Sequence, residues 1–289
     1  MIKTREFGST GHRSTLTLFG GAAFKAEHTE SDASSVIELL LEHGVNHIDT
    51  AHSYGGGNAE VLIGGWMKSL RDRFFLATKT VDRTATGARK QLELSRRRLC
   101  SDTIDLIQLH NLIVEEDWNT AMGSGGAIEA LTEARERGQV RFIGVTGHGL
   151  SAPRVHLRSL MHFPFDAVLL PMNFMLAKNS VYLADFLKLK SVCDQRGVAV
   201  QLIKSTARRP WAGRERTRGP WYEPLEDPAD IARAVAYALG YSPAFINTMG
   251  DVELLSIVLQ AAENLGRSPA DEEMEAMLGS QAMESIFEG

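Results

Sequence analysis

The sequence predicts a closed parallel (β/α)8 barrel, a TIM barrel, as a single domain over residues 1–289, and three observations support it. Short apolar runs alternate with amphipathic stretches along the whole chain, in eight pairs at intervals of roughly 30 residues. No composition shift marks a linker between domains. A chain of 289 residues with 44% hydrophobic content is about the size of one such barrel. Regular strand-then-helix order implies parallel strands joined by right-handed crossovers, and eight such units suit closure.

Taken in order, LTLFGGA (16–22) is an apolar run ended by glycines. SDASSVIELLLEHG (31–44) follows, with apolar residues at helical spacing and Ser31 or Asp32 as the expected cap. The same unit recurs as VNHIDTA (45–51) before AEVLIGGWMKSL (59–70), and as RFFLATKT (73–80) before GARKQLELSRRRL (87–99). IDLIQLH (104–110) precedes AIEALTEARERG (127–138), and QVRFIGVTG (139–147) precedes PRVHLRSLM (153–161). FDAVLLPMN (165–173) leads to VYLADFLKLKSVCDQRG (181–197), VAVQLIKS (198–205) to PADIARAVAYALG (228–240), and PAFINTMG (243–250) to VELLSIVLQAAENLG (252–266). Three strand-to-helix connections, 111–124, 173–180 and 205–228, are longer than a turn requires, and in this fold they belong to the carboxyl face that shapes a substrate pocket. After the eighth helix an acidic extension, 268–289, is expected to form a short helix and a tail.

Composition narrows the function. A net charge of −5 and a pI near 6 leave no global basic field for nucleic acid or an anionic membrane, so a small molecule is the expected partner. Two cysteines, Cys100 and Cys193, are too few for a disulfide framework or a four-thiolate zinc site. With no apolar signal region at the start and no long uncharged apolar stretch, a cytoplasmic setting is expected. The oligomeric state leaves no trace in the sequence.

Four polar residues stand at or just past the carboxyl ends of consecutive apolar runs: Asp49 and Tyr54 in HIDTAHSYG, Lys79 in FFLATKT and His110 in IDLIQLH. Side chains alternate across a strand, so Val45, His47 and Asp49 are expected on one face, as are Phe75, Ala77 and Lys79, and Ile104, Leu106, Gln108 and His110. If those faces line the barrel, the four polar groups meet at its rim. A tyrosine with an ordinary pKa near 10 is a poor acid at neutrality. Lys79 is expected to lower that value, Asp49 to keep the lysine charged, and His110 to donate to a carbonyl oxygen. The set has no nucleophile with a base of its own, and proton delivery coupled to hydride transfer suits it better than acyl transfer. Two other readings stay open: a nucleotide-sensing barrel with little turnover, and a metal-dependent hydrolase built on His47, Asp49, His52, His110 and His148.

HIDTAHSYGGGNAEVLIG, the lysine of FLATKT, IDLIQLH and RFIGVTG, in that order, resemble successive signature blocks of the aldo-keto reductase superfamily, over residues 1 to about 175 well and the remainder loosely. The resemblance implies a (β/α)8 barrel and reversible carbonyl reduction, with Tyr54 as general acid/base, Lys79 and Asp49 as its tuning pair and His110 as the substrate-orienting donor. It also implies a nicotinamide dinucleotide, NADP(H) ahead of NAD(H), with contacts from Gly21, Asp49, Thr146, His148, Asn173, Lys204, Ser205, Gly250 and Asp251. The chain departs from the family pattern where a Ser-Asn pair is expected, reading Thr146 and Gly147, and where a glutamine is expected, reading Leu169. The ring expected to stack on the nicotinamide aligns near Ile203 or Lys204, with Trp211, Trp221 or Tyr222 as replacements. The basic residue expected for a 2′-phosphate is missing at Leu254 and Val258. The 205–228 loop carries Arg208, Arg209, Arg214, Arg216 and Arg218, readable as a solvated loop or as an anion clamp.

Overall fold

A computed structural model describes residues 1–287. Eight parallel strands, Thr17–Gly20, His47–Asp49, Phe75–Thr80, Ile104–Leu109, Val140–Thr146, Ala167–Pro171, Ala199–Ile203 and Phe245–Asn247, close into a barrel. Ile246 pairs with Thr17, and Asn247 with Leu18, to seal the last strand against the first. Each strand is followed by the expected outer helix, from Glu30–Glu42 to Leu255–Glu263. The first helix is capped by Thr29 rather than Ser31 or Asp32: its hydroxyl accepts from Asp32 N, and the Asp32 carboxylate accepts from Thr29 N at 2.7 Å. That reciprocal pair satisfies two end groups where a lone Ser31 would satisfy one.

Two cores result. The larger lies between strands and helices; the smaller fills the barrel with Leu18, Phe75, Ala77, Leu106, Ala167, Ala199 and Phe245. The bottom is plugged by Phe7, fully buried in the turn of an N-terminal hairpin, Thr4–Glu6 with Arg13–Thr15, its ring 4.7 Å from His47 and 5.0 Å from Phe245. Strand parity holds for His47, Asp49, Phe75, Ala77, Lys79, Leu106 and Gln108. It fails at the ends: Val45 precedes its strand, Ile104 opens its strand at the rim, and both join the outer layer.

The long connections are more ordered than loops. The first contains a helix, Glu115–Met122, whose opening acids favour the amino-terminal dipole while Trp118, Ala121 and Met122 are buried. The second contains a single turn, Phe174–Ala177, and the third a hairpin, Ala207–Pro210 with Tyr222–Pro224. The extension forms the helix Asp271–Ser280, and Ile286 beyond it packs on Ala207 and Tyr222.

Candidate active site

Asp49 ends the second barrel strand, Lys79 is the penultimate residue of the third, and His110 directly follows the fourth. Tyr54 lies five residues past Asp49, where Gly55, Gly56 and Gly57 take left-handed φ values of 56°, 65° and 101°. A Cβ at Gly55 would sit 2.9 Å from the Lys25 carbonyl carbon, and one at Gly57 would strike the Arg98 guanidinium. The triple glycine is a tight turn directly after Tyr54, whose ring lies near Lys79 and His110 at the strand ends. Lys79 Nζ donates to Asp49 Oδ2 at 2.5 Å and to the Thr50 carbonyl at 2.7 Å, and lies 5.0 Å from the Tyr54 ring centre. The His110 ring meets Tyr54 edge-on, centres 5.8 Å apart.

Asp49 and Lys79 are both buried, and burial alone disfavours either charge. Burial raises the Asp49 pKa, while Lys79, Gln108 and Asn247 work against that rise. Burial would lower Lys79, but Asp49 and Tyr54 outweigh it and hold its pKa above the ordinary value. Lys79 is therefore a fixed ammonium. Tyr54 departs from expectation: Lys79 pulls its pKa down, yet burial is stronger, and the net shift is upward. In this state the phenol is protonated, poised as a donor and not as a phenolate. Burial and then Lys79 hold His110 well below the usual histidine range, so its imidazole is neutral at pH 7.

These groups open on a cleft of about 540 Å³. Of the residues singled out for cofactor contact, Asp49, Thr146, His148, Lys204, Ser205 and Gly250 line it. Gly21 sits behind the lining, where a Cβ would meet Thr50 Oγ1 at 2.6 Å. Asn173 is turned to its own backbone, accepting from Leu176 N and donating to the Lys204 carbonyl at 3.0 Å. Asp251 accepts from the Glu253, Leu254 and Gly219 amides beside a second cleft of about 440 Å³, which meets the first at Gly250. Tyr222 supplies a ring to the first cleft; Trp211 instead donates to the Pro220 carbonyl.

The donor set fits a nicotinamide dinucleotide. Thr50 Oγ1, His110 Nδ1, His148 Nδ1, Ser205 Oγ and Asn247 Oδ1 are buried without hydrogen-bond partners. At Gly20 a Cβ would come within 2.6 Å of the Thr248 carbonyl, and at Gly250 within 3.2 Å of the Ala22 carbonyl, so both leave the chain's backbone close beside the cleft. The departure at Gly147 has a steric cause: a Cβ would lie 2.7 Å from Ile113 Cγ2 and 2.9 Å from His156 Cε1. No asparagine side chain fits there; the space is taken by Ile113 and the His156 ring, whose Nε2 would lie 3.0 Å from that Cβ.

His110 and His148 lie together, ring centres 6.1 Å apart, but the five residues of the metal reading do not gather as a set. His47 is at the opposite end of the barrel, bonded to Ser14 Oγ at 2.8 Å, and among the described residues no three His, Cys, Asp or Glu side chains form a metal-binding group. The arginines of the 205–228 loop are mostly consumed internally. Arg208 and Arg209 hold Glu223, Arg218 holds Glu226 and Glu253, and Arg214 and Arg216 donate to backbone carbonyls.

A network of amides behind Asp49 is not announced by any sequence motif. Gln108 Nε2 donates to Asp49 Oδ1 at 2.7 Å, Asn247 Nδ2 to Oδ2 at 2.9 Å, and Gln201 Nε2 to Gln108 Oε1 at 3.2 Å. The available signal was an amide at an inward position of an otherwise apolar strand, in QLH, VQL and FIN.

Comparison with known proteins agrees with the geometry. The aldo/keto reductase family model matches residues 17–267. L-galactose dehydrogenase of Arabidopsis thaliana is 29% identical over 158 residues, 50% of this chain and 49% of that protein. The methylglyoxal reductase YeaE of Escherichia coli is 32% identical over 108 residues, 37% of this chain and 36% of that protein. The chain thus spans about half or less of the curated relatives it matches. An aldo-keto reductase structure from Bacillus halodurans superposes with a TM-score of 0.72 at 20% identity, covering 100% of this chain and 99% of that one, a likeness of fold.

Proposed function

Because the chain belongs to the aldo/keto reductase family, we propose that it is an NAD(P)(H)-dependent oxidoreductase interconverting a small-molecule carbonyl and its alcohol, with Tyr54 as general acid/base. The observation that carries this reading is the placement of Tyr54 between a fixed ammonium, Lys79, and a neutral imidazole, His110, on one cleft. A bound nicotinamide dinucleotide supplies the hydride. Thr146, His148, Ser205 and Gly250 would hold it, with Asp49 and Lys204 beside them.

The chain's own part in reduction follows from its groups. His110 donates a hydrogen bond to the carbonyl oxygen and orients it beside the phenol. As negative charge grows on that oxygen, Tyr54 passes its proton across, and the Lys79 ammonium stabilises the phenolate left behind. Asp49 keeps Lys79 charged and aimed. In alcohol oxidation the same phenolate accepts the proton.

The substrate is a small polar carbonyl, a class in keeping with relatives named for L-galactose and methylglyoxal. NADP(H) stands ahead of NAD(H), supported by Lys25 at the second cleft, whose ammonium donates to the Ala22 carbonyl and pairs with no carboxylate among the described residues. The reading includes one domain over residues 1–289 and a cytoplasmic setting, in keeping with two unpaired cysteines. No described helix is long and apolar enough to cross a membrane. Fluorescence titration with NADPH and NADH separately, followed by a panel of aldehydes and ketones, tests it: saturable binding and oxidation of the bound reduced nucleotide are expected. Nucleotide binding with no turnover on any carbonyl would favour a sensing barrel instead.

A further inference from the structure

Among the cations near the cleft, Lys204 stands apart. Lys79 is committed to Asp49 and the Thr50 carbonyl, Lys25 to the Ala22 carbonyl, and the loop arginines to Glu223, Glu226, Glu253 or backbone oxygens. No hydrogen bond or ion pair reaches Lys204 Nζ among the described residues. It lies against two rings instead, 5.5 Å from the centre of Trp221 and 5.2 Å from that of Tyr222. Such contacts steady a cation without neutralising it.

Its backbone is equally unusual. Lys204 has φ 64°, a left-handed conformation that is strained for a non-glycine residue. Asn173 holds it there, donating to the Lys204 carbonyl at 3.0 Å, and Ala207 N donates to the same oxygen at 3.1 Å. The effect is to turn this lysine into the cleft that Tyr54, His110 and His148 share. Strain held by a dedicated side chain marks a position with a task.

The charge balance of the cleft states the task. Its charged lining is Asp49, Lys79 and Lys204; the first two cancel, His110 and His148 are neutral, and one positive charge is left over. Burial, with Lys25 and Lys79 nearby, pushes the Lys204 pKa down to about 8, which leaves it mainly protonated at neutrality. A half-buried ammonium with no counter-ion is costly by itself and is stabilised when an anion arrives.

Resting on the reductase reading, we propose that Lys204 is a receptor for an anionic group of the substrate, so that the site selects carbonyl compounds that also carry a carboxylate or a phosphate. The reacting carbonyl lies at Tyr54 and His110 and the anion at Lys204, on the same cleft.

The test uses matched pairs: 4-oxobutanoate against its methyl ester, and glyceraldehyde 3-phosphate against glyceraldehyde. The wild type is expected to favour one anionic partner in kcat/KM by about 10- to 100-fold, the worth of one charge-assisted hydrogen bond. Lys204→Met should erase that preference, and Lys204→Arg should keep most of it. Which pair responds separates carboxylate from phosphate. NADPH and NADH affinities, measured by fluorescence on each variant, distinguish the cofactor's own phosphates as the source. If Lys204→Met weakens nucleotide binding and slows charged and neutral carbonyls equally, the lysine serves the cofactor and the proposal is overturned. An unchanged ratio overturns it also. Should the wild type turn over no carbonyl, the reductase reading fails on its own, and calorimetric binding of succinate and of inorganic phosphate still decides the matter. Binding lost in Lys204→Met and kept in Lys204→Arg supports an anion receptor, while equal binding by all three proteins, or none, rejects it.

Discussion

Replacing Asp49 by asparagine removes one charge and keeps the volume, and the consequences can be worked from the site. In the wild type the carboxylate accepts from Lys79, Gln108 and Asn247 together. An asparagine has one acceptor oxygen and two donor hydrogens, so at least one of those donors would face another donor. The larger effect falls on Lys79, only 1% exposed in its side chain, whose ammonium would lose its carboxylate. Breaking a buried pair in this way costs about 3–5 kcal/mol.

The pH dependence carries the sign. In the wild type Lys79 has a raised folded-state pKa. Its contribution is fully present below the unfolded value and is lost only as pH rises through the folded one. Without Asp49, burial dominates, the folded pKa falls below the unfolded value, and the lysine costs stability at every pH where the unfolded chain holds it protonated. Stability of Asp49→Asn should therefore climb with pH from 7 towards 10, relative to the wild type. Urea unfolding at a series of pH values, followed by tryptophan fluorescence, measures both effects. A loss below about 1 kcal/mol with parallel pH curves would refute the claim that Asp49 is what keeps Lys79 charged.

Two further outcomes follow from other parts of the molecule. Phe7→Ala should destabilise the barrel by about 3–5 kcal/mol in denaturant unfolding, because it empties the plug against His47, Phe75 and Phe245; a change under 1 kcal/mol would mean the hairpin is not part of the core. His110 should titrate well below the ordinary histidine range, since burial and then Lys79 lower its pKa, and imidazole nitrogen chemical shifts that titrate near 6.5 would contradict that electrostatic picture.

The barrel was legible because eight apolar runs end where polar residues begin, and Asp49, Lys79 and His110 stand out as charged or titratable groups at the ends of otherwise buried strands. Their convergence needed only strand order and parity. The supporting amides were less visible: Gln108 and Asn247, from the fourth and eighth strands, meet Asp49, and Gln201, from the seventh, reaches Gln108, only in the closed barrel. The sign of the Tyr54 shift was also hidden, since spacing shows that a lysine is near but not that burial outweighs it. Asn173, expected beside the cofactor from residue type and position, also has a structural part that the local sequence does not show: it caps the Phe174–Ala177 turn and donates to the Lys204 carbonyl. Nothing local to Phe7 distinguishes a plug from any other buried aromatic.

The central claim is that the Tyr54 phenol delivers the proton, and Tyr54→Phe tests it with the smallest change available. Steady-state turnover of a carbonyl accepted by the wild type should fall by about 10²- to 10⁴-fold, while fluorescence titration returns nearly the same affinity for NADPH. Near-normal turnover in that variant would contradict the account.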